Sequence, residues 1–483
     1  MATYKLLRKF VAKGGTFIAF SVPTLIDGAR SEELMTFFNE NSRKIIFGEE
    51  LSDKYISENL RCDEIEFSDF SGGVLYHHRR VLDDGQLVFL VNSDLEKELT
   101  GTFNAKGKGV VEMNTLTGET NGYPFDNQGN KLKISFSIPP AGSLLLFIPS
   151  SGHAEYLIPF KPQSFKKAES GSPLTVSIDR ENVLTIDFCD IEMGDSQSKD
   201  LNTYYATDMA YRYHGFRNGN PWNSSVQYRT MIVDRDTFSV GTGFRASYHF
   251  ETRGISDFAS FRAVVERPYI WKVKINGKEI DHTEDEWWLD RSFGVFDISR
   301  YLRSGRNTIT LTASPMRIHA EIEPVYITGN FSVAPASKGW VITPALERYS
   351  TGSWKEQGLP FYSWGVTYAR EFDIDTPEGT YEVELGIWTG TVAAVYVNNS
   401  KAGIIGFPPY RTDVTSYIKP GKNYIEVKVT GSLKNLLGPH HNNPAPGFVS
   451  PGTWRNVKSY PSGFDYQIID YGLMEEFALF NGK

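Results

Sequence analysis

Three stretches of this chain concentrate side chains suited to hydroxyl-rich molecules. The first runs through Tyr204, Tyr205 and His214 to Asn220 and Trp222, and the second holds Trp354, Tyr362 and Trp364. The third is His440-His441-Asn442-Asn443, with Trp454 following. Amides bond sugar hydroxyls and an indole stacks on the apolar face of a pyranose ring, so each stretch has the make-up of a carbohydrate-binding site. The same residue types also line domain interfaces, and loop His and Asn commonly bond their own backbone. Tyr362 and Trp364 share one face of a strand, which suits a binding platform or a core strand equally. Neutral imidazole could ligate a metal at His77-His78 or at His440-His441. Adjacent histidines on a strand point to opposite faces, which argues against one shared ion at the first pair.

Carboxylates give a second kind of chemistry. Glu284-Asp285-Glu286 beside Trp287-Trp288 has the composition of a glycosidase subsite, which needs two acids flanking a scissile bond. This cluster falls between two strands, where a solvated surface turn is the simpler expectation. Asp187, Asp190, Asp297 and Asp413 could supply oxygens to a structural calcium, but no Asp/Asn run has calcium-loop spacing. No cofactor is firmly implied.

The elements that would position these residues come from a repeat. Val273-Lys274-Ile275-Asn276-Gly277 leads to Phe296-Asp297-Ile298-Ser299-Arg300-Tyr301 and then Gly305-Arg306-Asn307-Thr308-Ile309. Tyr396-Val397-Asn398-Asn399-Ser400 leads likewise to Thr412-Asp413-Val414-Thr415-Ser416-Tyr417 and Gly421-Lys422-Asn423-Tyr424-Ile425. Each copy reads as a strand, a sharp Asn turn, an Asp-started turn and a hairpin into an alternating strand. Two copies in the same order imply two copies of one domain.

The remaining chain is read from composition and pattern. At 483 residues several cores are expected, and 14% aromatic content suits all-β packing and sugar stacking alike. A net charge of −8 without a basic block offers no footprint for nucleic acid or an anionic membrane. Cys62 and Cys189 fall in different domains, which argues against a disulfide framework. Leu6, Leu7, Phe10 and Val11 have helical spacing, Thr16 to Phe20 reads as a strand, and Ser31 caps a helix that buries Leu34, Met35, Phe37 and Phe38. That is part of an α/β unit, insufficient to cover a parallel sheet by itself, so the sequence reads as starting within a domain. No apolar run reaches signal-peptide or membrane-spanning length, so a periplasmic or extracellular location would need an export signal in a longer precursor. The expected organisation is mainly β: a partial α/β segment (1–70), a small antiparallel sandwich (71–150) and two jelly rolls (172–335 and 338–483).

The repeat resembles the galactose-binding-like jelly rolls of large glycoside hydrolases. Three further stretches resemble the C-terminal half of the α-L-rhamnosidase type. One is His77-His78-Arg79-Arg80 with Asp83-Asp84-Gly85 and Asn114-Thr115-Leu116-Thr117-Gly118. Another is Leu184-Thr185-Ile186-Asp187-Phe188-Cys189-Asp190. The third joins Gly358-Leu359-Pro360-Phe361-Tyr362-Ser363 to Gly438-Pro439-His440-His441. The resemblance implies a catalytic (β/α)₈ barrel on the N-terminal side, carrying both catalytic acids. No stretch of about 250 residues here has a barrel's rhythm, so no catalytic position carries over. The resemblance thus implies a non-catalytic region that binds oligosaccharide or polysaccharide, or scaffolds a barrel. Two rival expectations remain: a polysaccharide-degrading glycosidase that uses carboxylates from jelly-roll loops, and a purely structural partner whose Trp222, Tyr362 and Trp454 are buried.

Overall fold

The computed structural model describes residues 2–15, 17–48, 52, 65–115, 117–151, 164–441, 450–454, 457 and 459–482. Residues 1–161 and 162–483 form two compact units. The protein is mainly β, with antiparallel sandwiches, and no sheet among the described residues closes into a barrel.

In the first unit, helix Ala2–Ala12 and helix Glu32–Glu40 flank a short parallel pair, Phe17–Ala19 with Ile45–Phe47. The Ser31 hydroxyl accepts the Leu34 N–H and so starts the second helix. The first helix is rotated from the expected face. Tyr4 and Val11, two turns apart, are buried, whereas Leu6 and Phe10 are 67% and 48% exposed. The Tyr4 hydroxyl, directed at the backbone and carboxylate of Glu33, sets that rotation. A five-stranded and a four-stranded sheet form the small sandwich. Its first strand, Ile65–Gly72, pairs with Leu99–Ala105 and packs Ile65 and Phe67 on the core. The sandwich therefore takes in residues placed before 71 by the sequence reading.

The second unit holds both jelly rolls. Strands Phe165–Lys167 and Thr175–Ile178 precede the first jelly roll in sequence but pair with strands Ala478–Gly482 and Gly365–Ile374 of the second. Val176 and Ile178 pack on the second core, which explains the pairing. The first jelly roll thus opens at strand Asn182–Ile186, later than residue 172, and is inserted into the second. Its two sheets enclose one continuous core, with Tyr211, Tyr248, Phe261 and Phe296 among the fully buried side chains.

The repeated segments build the same turn twice. In the first copy Asn276, at a left-handed φ of 48°, donates to Tyr301 O and Asn307 Oδ1 at 2.9 and 2.8 Å and accepts from Thr308 N. Asn307, fully buried, bonds Arg303 N, Arg303 O and Gly305 O. In the second copy Asn398, at φ 50°, donates to Tyr417 O and Asn423 Oδ1 and accepts from Tyr424 N. Asn423, also fully buried, bonds Lys419 N, Lys419 O and Gly421 O. Asparagine fits because its amide donates and accepts at once and tolerates the left-handed backbone. The Asp-started turns are capped in parallel, Asp297 accepting from Ser299 N and Asp413 from Thr415 N.

Candidate functional site

One end of the first jelly roll gathers polar and aromatic side chains from four segments. Strand Arg262–Glu266 ends at Glu266, and Arg267, at a left-handed φ of 51°, turns the chain into the short turn Pro268–Ile270. A non-glycine residue there carries strain that the Arg267 contacts offset. Its guanidinium donates to Glu321 Oε2 at 3.0 Å and to His319 O at 3.2 Å and lies 3.5 Å from Glu266 Oε1. The other Glu321 oxygen accepts from the Asn220 amide at 2.8 Å. Asn220 also accepts the Trp222 N–H, which opens the turn Pro221–Asn223. The Trp222 indole donates to Ile318 O at 2.7 Å, and its ring stacks on His319 at 5.0 Å and 22°. Nearby, the chain presents two exposed rings, Tyr269 (70%) on the turn after Arg267 and Trp287 (55%) opposite Gly294.

The carboxyl groups here differ in state. Burial first, then the charges of Glu321 and Glu266, push Glu323 up to about 8 against the pull of Arg267. Burial also raises Glu266, with Arg267 lowering it. Near neutral pH Glu323 is therefore largely a neutral acid able to donate, while Glu321, held by Arg267 and Asn220, accepts. Donor, acceptor, amide and stacked ring within one loop cluster are what recognition of a polyol requires.

The sequence-selected residues divide between this end and the interior. Asn220 and Trp222 belong to the cluster. Tyr204 and Tyr205 lie half-buried in helix Thr203–Tyr213, edge to face at 5.6 Å. His214 closes that helix, its Nδ1 lying 2.8 Å from Ala210 O while Nε2 accepts from Gly243 N, an arrangement that puts the proton on Nδ1. Trp354 and Tyr362 are core residues of the second jelly roll, exposed by 2% and 0%. The Trp354 indole donates to the Tyr368 hydroxyl, and the Tyr362 hydroxyl bonds Asp179 N, Arg180 N and Gly365 O. Their polar atoms are spent internally, so they form no open platform. Trp364 is half-buried and meets Trp288 of the first jelly roll at 5.5 Å.

His440 and His441 join the two jelly rolls. His441 Nε2 lies 2.8 Å and His440 Nδ1 3.6 Å from the buried Asp187 carboxylate, which also accepts from the Tyr466 hydroxyl at 2.8 Å. Burial alone would raise the Asp187 carboxyl, but the two histidines outweigh it and hold the group well below its ordinary range. Trp454 is half-buried beside Gly438, and Asn442 lies outside the described residues. Of the four aspartates considered for calcium, Asp187 and Asp190 bond histidines, while Asp297 and Asp413 cap turns. Among the described residues no group of three or more His, Cys, Asp or Glu could hold a metal ion, and no helix is long and apolar enough to cross a membrane.

Sequence reasoning passed over Glu266, Arg267, His319, Glu321 and Glu323. The available signal was the pair of charges closing the apolar run Ala263-Val264-Val265, and Glu-Ile-Glu just ahead of another apolar strand. Charges set at a strand terminus among aromatics mark a sheet end where loops converge.

No family model matches the chain. A curated protein named "Putative beta-glucuronidase", from Formosa agariphila, is 27% identical over 121 residues, which is 24% of this chain and 10% of that protein. Among solved structures, the rhamnosidase from Novosphingobium sp. PP1Y matches 98% of this chain and 32% of its own, at 12% identity and a TM-score of 0.45. The Streptomyces avermitilis alpha-L-rhamnosidase matches 82% of this chain and 38% of its own, at 10% identity and a TM-score of 0.24. A beta-glucuronidase from an uncultured Clostridium sp. matches 62% and 46%, at 9% identity and a TM-score of 0.20. The chain thus spans less than half of the length of each of these four proteins.

Proposed function

We propose that this chain is the sugar-binding, non-catalytic region that accompanies a glycoside hydrolase of α-L-rhamnosidase type. It holds an oligosaccharide or polysaccharide at the loop end of the first jelly roll, next to a catalytic barrel in the same or another chain. The observation that carries the reading is the Asn220–Glu321–Arg267 chain of bonds beside the Trp222–His319 stack. Those groups are fixed by bonds to one another and to the backbone before any ligand arrives, and preorganisation limits the entropy lost on binding. Tyr269 and Trp287 would supply the exposed stacking faces. The test is a glycan array of plant-type oligosaccharides with the intact chain and with Trp222→Ala and Trp287→Ala. Signal lost in either variant supports the reading, and signal unchanged in both rejects the site.

One observation favours a second reading. The raised Glu323 carboxyl, still protonated near neutral pH with Glu321 and Glu266 close by, has the character of the general acid that glycoside cleavage uses. In that reading the first jelly roll is itself hydrolytic, and Glu323→Gln abolishes turnover of an aryl glycoside. A chain that binds glycan but shows no turnover leaves the accessory reading standing alone.

A further inference from the structure

A separate cleft lies over the outer face of the first jelly roll. Strand Phe244–Thr252 shares one edge between two neighbours: Phe188–Met193 pairs with it at Arg245–Ser247, and Trp340–Thr343 pairs with it at Glu251–Thr252. Tyr248 to Phe250 have no strand pairing on that edge, and over this gap opens a cavity of about 460 Å³. This lies within the range of roughly 300–1,000 Å³ for small-ligand sites. The segment from Pro335 to Val341 and the ring of Tyr460 complete the wall. Tyr460 stacks on Phe188 at 4.4 Å and 6°, so that side is fixed.

Three acids and three cations line the cleft, Asp190, Asp200 and Glu251 against Arg253, Arg306 and Lys338, and their pairing leaves one of them over. Asp190 accepts from His249 Nε2 at 3.1 Å and from Asp200 N at 2.9 Å. Asp200 pairs with Lys338, and Glu251 pairs with Arg253 at 3.0 Å. Arg306, facing Glu251 across the ladder, has no ion pair among the described residues, although it lines the same cavity. Trp340, on the same wall, has a buried indole N–H without an acceptor. With Asp200 and Glu251 in ion pairs and Asp190 bonded to His249, Arg306 is the charge of this lining left without a partner among the described residues, and it calls for a ligand that brings negative charge and oxygens. The His249 ring, bonded through Nδ1 to Thr308 at 2.9 Å and through Nε2 to Asp190, fixes the Asp190 carboxylate, whose remaining lone pairs can accept from a hydroxyl.

We propose that this cleft binds an anionic sugar residue, its carboxylate or sulfate ester on Arg306 and its hydroxyls on the Asp190–His249 pair. Guanidinium forms paired bonds with either anion, so both sources share one chemistry. The proposal concerns a site apart from Asn220, Trp222 and Glu321 and stands or falls without them. The test is calorimetric titration of the full chain with three oligosaccharides of equal length: an oligouronate, a sulfated galactan fragment and a neutral glucan. Binding of either acidic ligand at least tenfold tighter than the neutral one is expected. Arg306→Gln should remove that preference, and Trp222→Ala should leave it intact. Arg306 is exposed, and an unchanged melting curve for its variant shows that the loss is one of recognition. Raising ionic strength should weaken acidic binding, as for any exposed charge contact. Equal binding of neutral and acidic ligands, no binding of either acid, or an undiminished preference in Arg306→Gln overturns the proposal. The tighter of the two acids identifies the anion.

Discussion

The two jelly rolls of the second unit close the same turn with the same pair of asparagines, yet use their aromatic residues in opposite ways. The second sends Trp354, Tyr362 and Tyr368 into its core and joins their polar atoms to one another and to the backbone. The first keeps Trp222 half-buried against His319 at a loop end, with Glu266, Glu321 and Glu323 crowded around Arg267. A shared scaffold with divergent loops is the pattern expected when a sandwich core fixes the frame and its ends carry function. Insertion of the first jelly roll into the second ties both chain connections of the first to one neighbour. The Asp187–His441–Tyr466 joint then fixes that end of the first sandwich.

The sharpest way to break the comparison is to truncate one tryptophan from each side. Trp354→Ala should lose about 4 kcal/mol, the cost of a large core cavity together with the lost indole bond to the Tyr368 hydroxyl. Trp222→Ala, half-buried and at a loop end, should lose about 1 kcal/mol. Urea unfolding of both variants measures the difference. Equal losses would mean that Trp222 is as structural as Trp354 and that the loop end is ordinary packing.

The asparagine turns sharpen the other half of the comparison. Asn307→Ala and Asn423→Ala each leave buried backbone groups of one turn unbonded, with an expected cost of about 3 kcal/mol apiece. The two losses should agree within about 1 kcal/mol, since the hydrogen-bond sets match group for group. A large loss in one copy and a small one in the other would show that the repeated turn is needed in only one sandwich.

The asparagine turns were also where the sequence was most legible. Asn276 and Asn398 stand at the same point of a repeated order, and local bonding with a left-handed backbone is written in the residue type itself. The mainly β class, the Ser31 cap and both hairpins follow from similarly local rules. The aromatics were not legible in the same sense. Tyr362 alternates with Trp364 as a platform would, and only the strands Thr175–Ile178 and Gly365–Ile374, brought together across 187 residues from Ile178 to Gly365, decide that its ring faces a core. His440 and His441 have the composition of a ligand site, but their partner, Asp187, lies 254 residues from His441. The acids of the loop end were missed for a related reason. Glu266 and Glu321 are unremarkable alone, and become a cluster only when the sheet ends bring their loops together. The legible features rest on contacts near in sequence, and the others depend on contacts far apart in it.

Glu323 offers the subtlest test of the contrast, through pH. Its carboxyl, raised by burial and by Glu321 and Glu266, binds a proton in the folded chain that the unfolded chain releases near the ordinary value of about 4.3. Between those limits the folded state holds more protons, so stability from this group is fully present below about pH 4 and falls as pH rises toward about 8. Glu323→Gln keeps the shape, cannot ionise and should flatten that slope. The expected gain is on the order of 2 kcal/mol at pH 8 and close to nothing at pH 4, discounted from the full shift because the side chain is only partly shielded. The comparison is made by unfolding both proteins at the two pH values. A parallel pair of stability curves would mean that Glu323 ionises normally. The loop end of the first jelly roll would then differ from the second in its residues but not in their protonation, and the hydrolytic reading would lose its acid.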